Sequence, residues 1–166
     1  TFGYGLTLDK RNSAFQPSSG FYSSWYQQLP IVSENSEIVN GYIITGYKEL
    51  VDDMIISSGI YTRAVNSLSN DDVRASKRLY IPSRRLRGFE SGKVGPTDGS
   101  DHVGGNYVVT FNTSSTIPYV LQTQENLDLK VFFDVGNIWG VDYSSSIDDS
   151  NSIRTSTGFA LEILTP

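Results

Sequence analysis

Apolar residues recur at every second position along most of this chain. A period of two commits the backbone to extended strands with one apolar and one polar face. The clearest segments lie late in the chain. Leu127, Leu129, Val131, Phe133 and Val135 share one face, while Asp128, Lys130, Phe132, Asp134 and Gly136 share the other. Ile153, Thr155, Thr157, Phe159, Leu161 and Ile163 likewise oppose Arg154, Ser156, Gly158, Ala160, Glu162 and Leu164. Earlier, Phe2, Tyr4, Leu6 and Leu8 alternate with Gly3, Gly5, Thr7 and Asp9, and Phe21, Trp25 and Leu29 with Tyr22, Ser24, Tyr26 and Gln28. Met54, Ile56 and Ile60 oppose Ser57, Gly59, Tyr61 and Arg63, and Tyr107, Val109 and Phe111 oppose Asn106, Thr110 and Asn112. Segment 37–48 is ambiguous, because Val39, Ile43 and Tyr47 face Ile38, Tyr42 and Ile44 across the strand. The pattern predicts an all-β, antiparallel, up-and-down fold of about seven strands with no convincing helix. Its separators run from a tight turn at Glu49–Asp53 to a long stretch over 66–103.

Two architectures fit such a pattern. A soluble barrel or sandwich turns its apolar face inward, whereas a transmembrane β-barrel turns it toward lipid and needs only alternation over ~10 residues per strand. Small residues and glycine crowd the polar face and aromatics gather near strand ends, which suits the membrane barrel. Charged residues are 19% of the chain, below the roughly 25% of soluble domains. No apolar run approaches the ~20 residues of a transmembrane helix. A net charge of −5 gives no basic face for nucleic acid. The chain has no cysteine and one histidine, His102, so it offers neither a disulfide framework nor a His-rich metal site, and no cofactor is expected. It starts at Thr1 with no signal-like segment and stops at Pro166 directly after a strand pattern, so both ends read as cut.

The long separator holds Arg84-Arg85-Leu86-Arg87-Gly88-Phe89. In the Arg87-Gly88-Phe89 triplet, a guanidinium fork and an aromatic ring flank a residue free to adopt positive φ, which suits a loop that folds back and inserts its arginine into a cavity. A buried arginine needs a carboxylate, preferably in a bidentate pair. Asp134 is the best-placed acceptor, on the polar face of its strand beside Phe132. Arg84 and Arg85 read more simply as a basic strand end meeting water or anionic head groups.

The series Leu86-Arg87-Gly88-Phe89, Gly95-Pro96, Gly104-Gly105-Asn106, Phe132-Phe133-Asp134-Val135-Gly136-Asn137-Ile138-Trp139 and Ile153-Arg154-Thr155-Ser156-Thr157-Gly158 resembles, in order and spacing, the barrel of the bacterial surface antigen family. Asp9-Lys10-Arg11 followed by Pro17 and Gly20 is similar to a periplasmic turn of that family. The resemblance implies a partial barrel domain over 1–166, roughly the eighth to the fourteenth strand of a sixteen-stranded transmembrane barrel. Its POTRA domains and terminal strands are absent, and seven strands would leave two open edges. The stretch 66–103 would be an extracellular loop folded into the lumen, with Arg87, Gly88 and Phe89 as its functional motif. Asp134 and Phe132 would be the loop's partners, and Gly104, Gly105, Asn106 and Gly136 turn and strand positions. Where the family carries a glutamate, this chain reads Thr113-Ser114-Ser115-Thr116-Ile117-Pro118. A second carboxylate for Arg87 is therefore missing, and Glu162 is a candidate replacement.

The resemblance further implies a non-enzymatic insertase component in the outer membrane of a Gram-negative bacterium. Its partners would be unfolded outer-membrane protein clients, accessory lipoproteins of the assembly complex, membrane lipids and lipopolysaccharide. Alternatives are a translocator of the same superfamily, a passive porin or a barrel enzyme. His102 beside Asp101 and Ser100 lacks the rigid nucleophile turn and oxyanion hole of a hydrolase. Asp71-Asp72 and Asp148-Asp149 lack the ligand spacing of a calcium loop. Trp25 and Trp139 read as interfacial anchors.

Overall fold

A computed structural model describes residues 1–31, 36–69, 71–118, 127–147 and 152–163. Seven strands form one antiparallel sheet: β1 (Phe2–Asp9), β2 (Ser19–Leu29), β3 (Glu37–Val51), β4 (Met54–Ser67), β7 (Tyr107–Thr116), β8 (Leu127–Trp139) and β9 (Arg154–Ile163). Each pairs with its neighbours in chain order, so the sheet is an up-and-down meander. Between β4 and β7 the chain leaves the sheet. It makes 3-10 turns at Ala75–Lys77 and Ser83–Arg85 and a two-residue hairpin, β5 (Thr97–Asp98) with β6 (Asp101–His102). The longest strands, β3 and β4, are joined by the two-residue turn Asp52-Asp53, where Asp53 takes φ +63°, a conformation Asp tolerates. Its N–H donates to Glu49 Oε1 at 3.2 Å.

The sheet does not close, and this corrects the barrel expectation. Among the described residues β1 pairs only with β2 and β9 only with β8, whereas closure requires the first and last strands to pair in a fixed stagger. The antiparallel meander holds; the transmembrane barrel wall is replaced by an open sheet with two free edges. Alternation cannot distinguish the two, because each strand has the same two-faced pattern whether or not its sheet comes round to meet itself.

The faces are chemically opposite. One row crosses all seven strands, Asp9–Tyr22–Thr45–Gly59–Asn112–Asp134–Ser156, and lies on what we call the inner face. The segment between β4 and β7 packs on this face. Its Val73, Leu79, Ile81, Leu86 and Val94 join Val39, Val65, Val108 and Ile138 of the strands in the one buried cluster, with Tyr26, Tyr61 and Phe89 against it. Segment 37–48 is thereby resolved: Val39 goes under the loop, and Ile38, Tyr42 and Ile44 take the other face.

The outer face has no cover among the described residues. Phe2, Leu6, Phe133, Phe159, Leu161 and Ile163 are between 43% and 74% exposed, so the larger apolar surface points away from the core. Trp25, Tyr42, Tyr107 and Trp139 bound a groove of about 290 Å³ on this side, with the two sequence-selected tryptophans at opposite walls. Patches of this extent are uncommon on soluble monomers and mark contact with lipid or another surface.

Candidate functional site

The Ser83–Arg85 turn carries the loop to its deepest point. Pro82 precedes the turn with φ −61°, and Leu86 leaves it with φ −150° and ψ 78°, which drives the Leu86 side chain into the core at 2% exposure. Beneath it lies Gly136, where a Cβ would stand 3.3 Å from Ile81 Cδ1, 3.4 Å from Leu86 Cδ2 and 3.4 Å from Thr110 Cγ2. The missing side chain lets the loop sit down on the strand. Gly136→Ala should lower stability, since overpacking costs typically ~1–3 kcal/mol and outweighs the roughly 0.5–1 kcal/mol of chain entropy a glycine loses. A lower denaturant midpoint checks it; an unchanged or raised midpoint would mean the loop yields without cost.

One residue further on, Arg87 closes on Asp134. Its Nε donates to Asp134 Oδ2 at 2.8 Å, its NH2 to Oδ1 at 2.7 Å and its backbone N–H to Oδ2 at 3.1 Å. The guanidinium lies 3.8 Å from the centroid of the Phe132 ring. Asp134 is wholly buried, while the Arg87 side chain keeps 30% exposure. The fork fits the carboxylate edge to edge, the strongest arrangement open to such a pair. Gly88 then takes φ +83°, which reverses the chain, and Phe89 returns to the core.

Asn112 completes the carboxylate's shell. Its Nδ2 donates to Asp134 Oδ1 at 2.9 Å and to the Arg85 carbonyl at 2.7 Å, so one amide ties β7, β8 and the loop together. The sequence reading looked for a second acid here and missed a neutral donor. The signal was register: Asn112 is the cross-strand partner of Asp134. Glu162 does not serve, because it pairs with Lys130 away from Arg87.

Gly104, Gly105 and Asn106 form a second tie. Gly104 takes φ +72°, and Gly105 exchanges two backbone hydrogen bonds with Leu79, at 2.8 and 3.0 Å. Asn106 donates from its backbone to the Gly140 carbonyl at 2.8 Å, accepts from the Val65 N–H at 2.8 Å and donates from Nδ2 to Asp142 Oδ2 at 2.9 Å. Asp142 also accepts from the Val73 N–H at 3.1 Å and stands 3.7 Å from Arg78. A third tie, Arg74 to Glu37, is bidentate at 2.6 and 2.7 Å, and the hydrogen bond to Glu37 raises the Arg74 pKa above its ordinary value. The sequence reading named neither Asp142 nor Glu37, whose partners lie far away in the chain.

This arrangement holds a segment in place. Among the described residues no three His, Asp or Glu come together as a metal site, and no helix is long and apolar enough to cross a membrane. His102 sits at the β5–β6 hairpin, where its carbonyl accepts from the Tyr80 hydroxyl at 3.4 Å. Asp71 accepts from the Ser69 hydroxyl at 3.1 Å, while the Asp148-Asp149 pair lies outside the described residues.

Comparison with known proteins matches the Omp85 superfamily domain to residues 1–166. The outer membrane protein assembly factor BamA of Neorickettsia risticii is 25% identical over 163 residues, covering 95% of this chain and 22% of that protein. The sorting assembly machinery 50 kDa subunit of Saccharomyces cerevisiae is 27% identical, covering 99% of this chain and 36% of that one. A crystal structure of BamA from Haemophilus ducreyi lacking POTRA domains 1-3 shares the fold at a TM-score of 0.83 with 22% identity, over 99% of this chain and 36% of its own. The chain thus spans about a quarter to a third of the relatives it matches. The resemblance had pointed to one bacterial branch and to part of a sixteen-stranded transmembrane barrel. The matches reach a yeast subunit as well, and the sheet is open, so both are corrected to a broader statement. The chain belongs to the Omp85 superfamily.

Proposed function

We propose that this chain acts in outer-membrane protein biogenesis, as a non-enzymatic part of a machine that assists other β-proteins into the membrane. The observation that carries the reading is the division of labour between the faces: the outer face exposes its apolar side chains, and the inner face is occupied by a loop latched through Arg87 and Asp134. The outer face then meets lipid and lipopolysaccharide, and the latched loop stiffens the sheet. Phe132 backs the guanidinium, while Gly88 and Phe89 set the loop's reversal. Gly104, Gly105 and Asn106 fasten its return.

A free strand edge offers unpaired N–H and C=O groups to an incoming strand, and such pairing lowers the cost of placing backbone polar groups in lipid. The clients are unfolded outer-membrane proteins, and accessory lipoproteins are the expected co-workers. The bacterial and yeast relatives, an assembly factor and a sorting assembly subunit, support the same reading. The full-length protein reconstituted in liposomes should accelerate folding of a urea-denatured outer-membrane protein, read as protease protection. Equal folding rates in empty liposomes would sink the proposal.

A further inference from the structure

Five guanidinium groups among the described residues lie over an aromatic ring: Arg11 on Tyr22, Arg63 on Tyr26, Arg78 on Tyr143, Arg85 on Tyr61 and Arg87 on Phe132. In two of them the ring takes the face of the fork and a carboxylate takes its edge: Arg11 meets Asp9 at 2.7 Å and Arg87 meets Asp134 at 2.7 Å. Arg78 stands 3.7 Å from Asp142 and donates from its NH2 to the Val73 carbonyl instead. Among the described residues Arg63 and Arg85 have the ring and form no ion pair, and the Nε of each, like that of Arg78, is buried with no acceptor.

The two incomplete modules are neighbours. Arg63 and Tyr61 are two apart on the inner face of β4, and Arg85 lies 5.2 Å from the Tyr61 centroid. The Tyr26 ring fills the space over Gly41, the cross-strand partner of Arg63, where any Cβ would collide with it. Burial lowers the Arg85 pKa, and the adjacent Arg84 charge acts in the same direction. The loop covers the inner face over β3, β4, β7 and β8, while every residue of β1 is exposed, so the pair stands at the margin of the covered region. Toward that margin the register presents Thr7, Ser24 and Gln28, side chains able to meet a peptide backbone.

We propose that Arg63 and Arg85 form a binding site for an acidic polypeptide segment, whose carboxylates complete the two forks that Tyr26 and Tyr61 hold flat. The inference stands apart from the lipid-facing reading, since it concerns only the inner face. A carboxylate is favoured over other anions because the same chain builds the ring, fork and carboxylate module twice with its own acids.

The test is titration of the full-length protein, held in nanodiscs of neutral lipid, with a fluorescent oligoglutamate peptide. R63Q/R85Q should weaken binding about tenfold or more, the effect of losing charge-assisted bidentate contacts. R63K/R85K keeps the charge, loses the planar fork and should also bind weakly. R84Q, at an exposed and unstacked arginine, should bind as the parent does. R63Q alone, on a strand outside the loop, gives the same reading if the double variant fails to fold. Unchanged affinity in the glutamine variants, full binding by the lysine variant, equal binding of oligoglutamine, or displacement of the peptide by inorganic phosphate would each overturn the site.

Discussion

Arg87→Ala is expected to cost roughly 3–5 kcal/mol of stability, the largest loss from any single polar change here, because it strips a wholly buried carboxylate of its cation. Asp134 would keep the Asn112 amide and the backbone N–H of residue 87, having lost both guanidinium donors and their charge. Asp134→Ala should cost less. The Arg87 side chain is 30% exposed and can turn to water, whereas Asp134, at 0%, cannot. The double variant removes the stranded charge together with its partner, so its loss should hardly exceed that of the worse single variant. The coupling should reach about 2–3 kcal/mol, near the upper end for contacting residues. Denaturant titrations of the four proteins measure it, and additive losses would rule out a direct pair.

The loop gives an independent readout. The chain has no cysteine, so a thiol placed at Val94, a loop residue only 8% exposed, is a unique label. Maleimide should modify Val94→Cys slowly in the parent background and faster once Arg87 or Asp134 is replaced. In the full-length protein the same variants should slow client folding. Salt should change the coupling little, because screening acts weakly on buried pairs.

The latch and the rest of the loop differ in how far the sequence discloses them. Strand parity alone puts Phe132 and Asp134 on one face, and a buried arginine has few acceptors to choose from, so residues 87 and 134 could be matched across the chain. Asn112 was on the correct face and was still passed over, because the reading sought a charge where the structure uses an amide donor. Val73, Leu79, Ile81, Leu86 and Val94 carry no periodicity, since each enters the core from an irregular backbone, and nothing local marks them as its larger half. Arg74 with Glu37 and Arg78 with Asp142 are equally hidden, for both depend on where the loop returns. Closure is hidden for a different reason. It is a relation between the first and last strands, and neither strand's own pattern encodes it.

What the outer face meets is decided by a charge placed in its middle. Phe111 on β7 is 39% exposed and is flanked across the sheet by Ile60 and Val135. Phe111→Arg and Phe111→Gln lose much the same packing, but only the first brings a charge. Against lipid hydrocarbon, arginine should cost about 2–4 kcal/mol, well beyond the glutamine variant. Against water the two should agree within about 0.5 kcal/mol, as surface substitutions do. Thr7→Arg, at an exposed inner-face position of β1, should be close to neutral in either case. Folding free energies of the full-length variants in phospholipid bilayers separate the outcomes. A gap between arginine and glutamine at position 111, with none at position 7, assigns the apolar face to lipid and leaves the inner face to water and the loop. Equal values at position 111 would remove the membrane from the account of this face, and its exposed Phe, Leu and Ile side chains would need a protein cover instead.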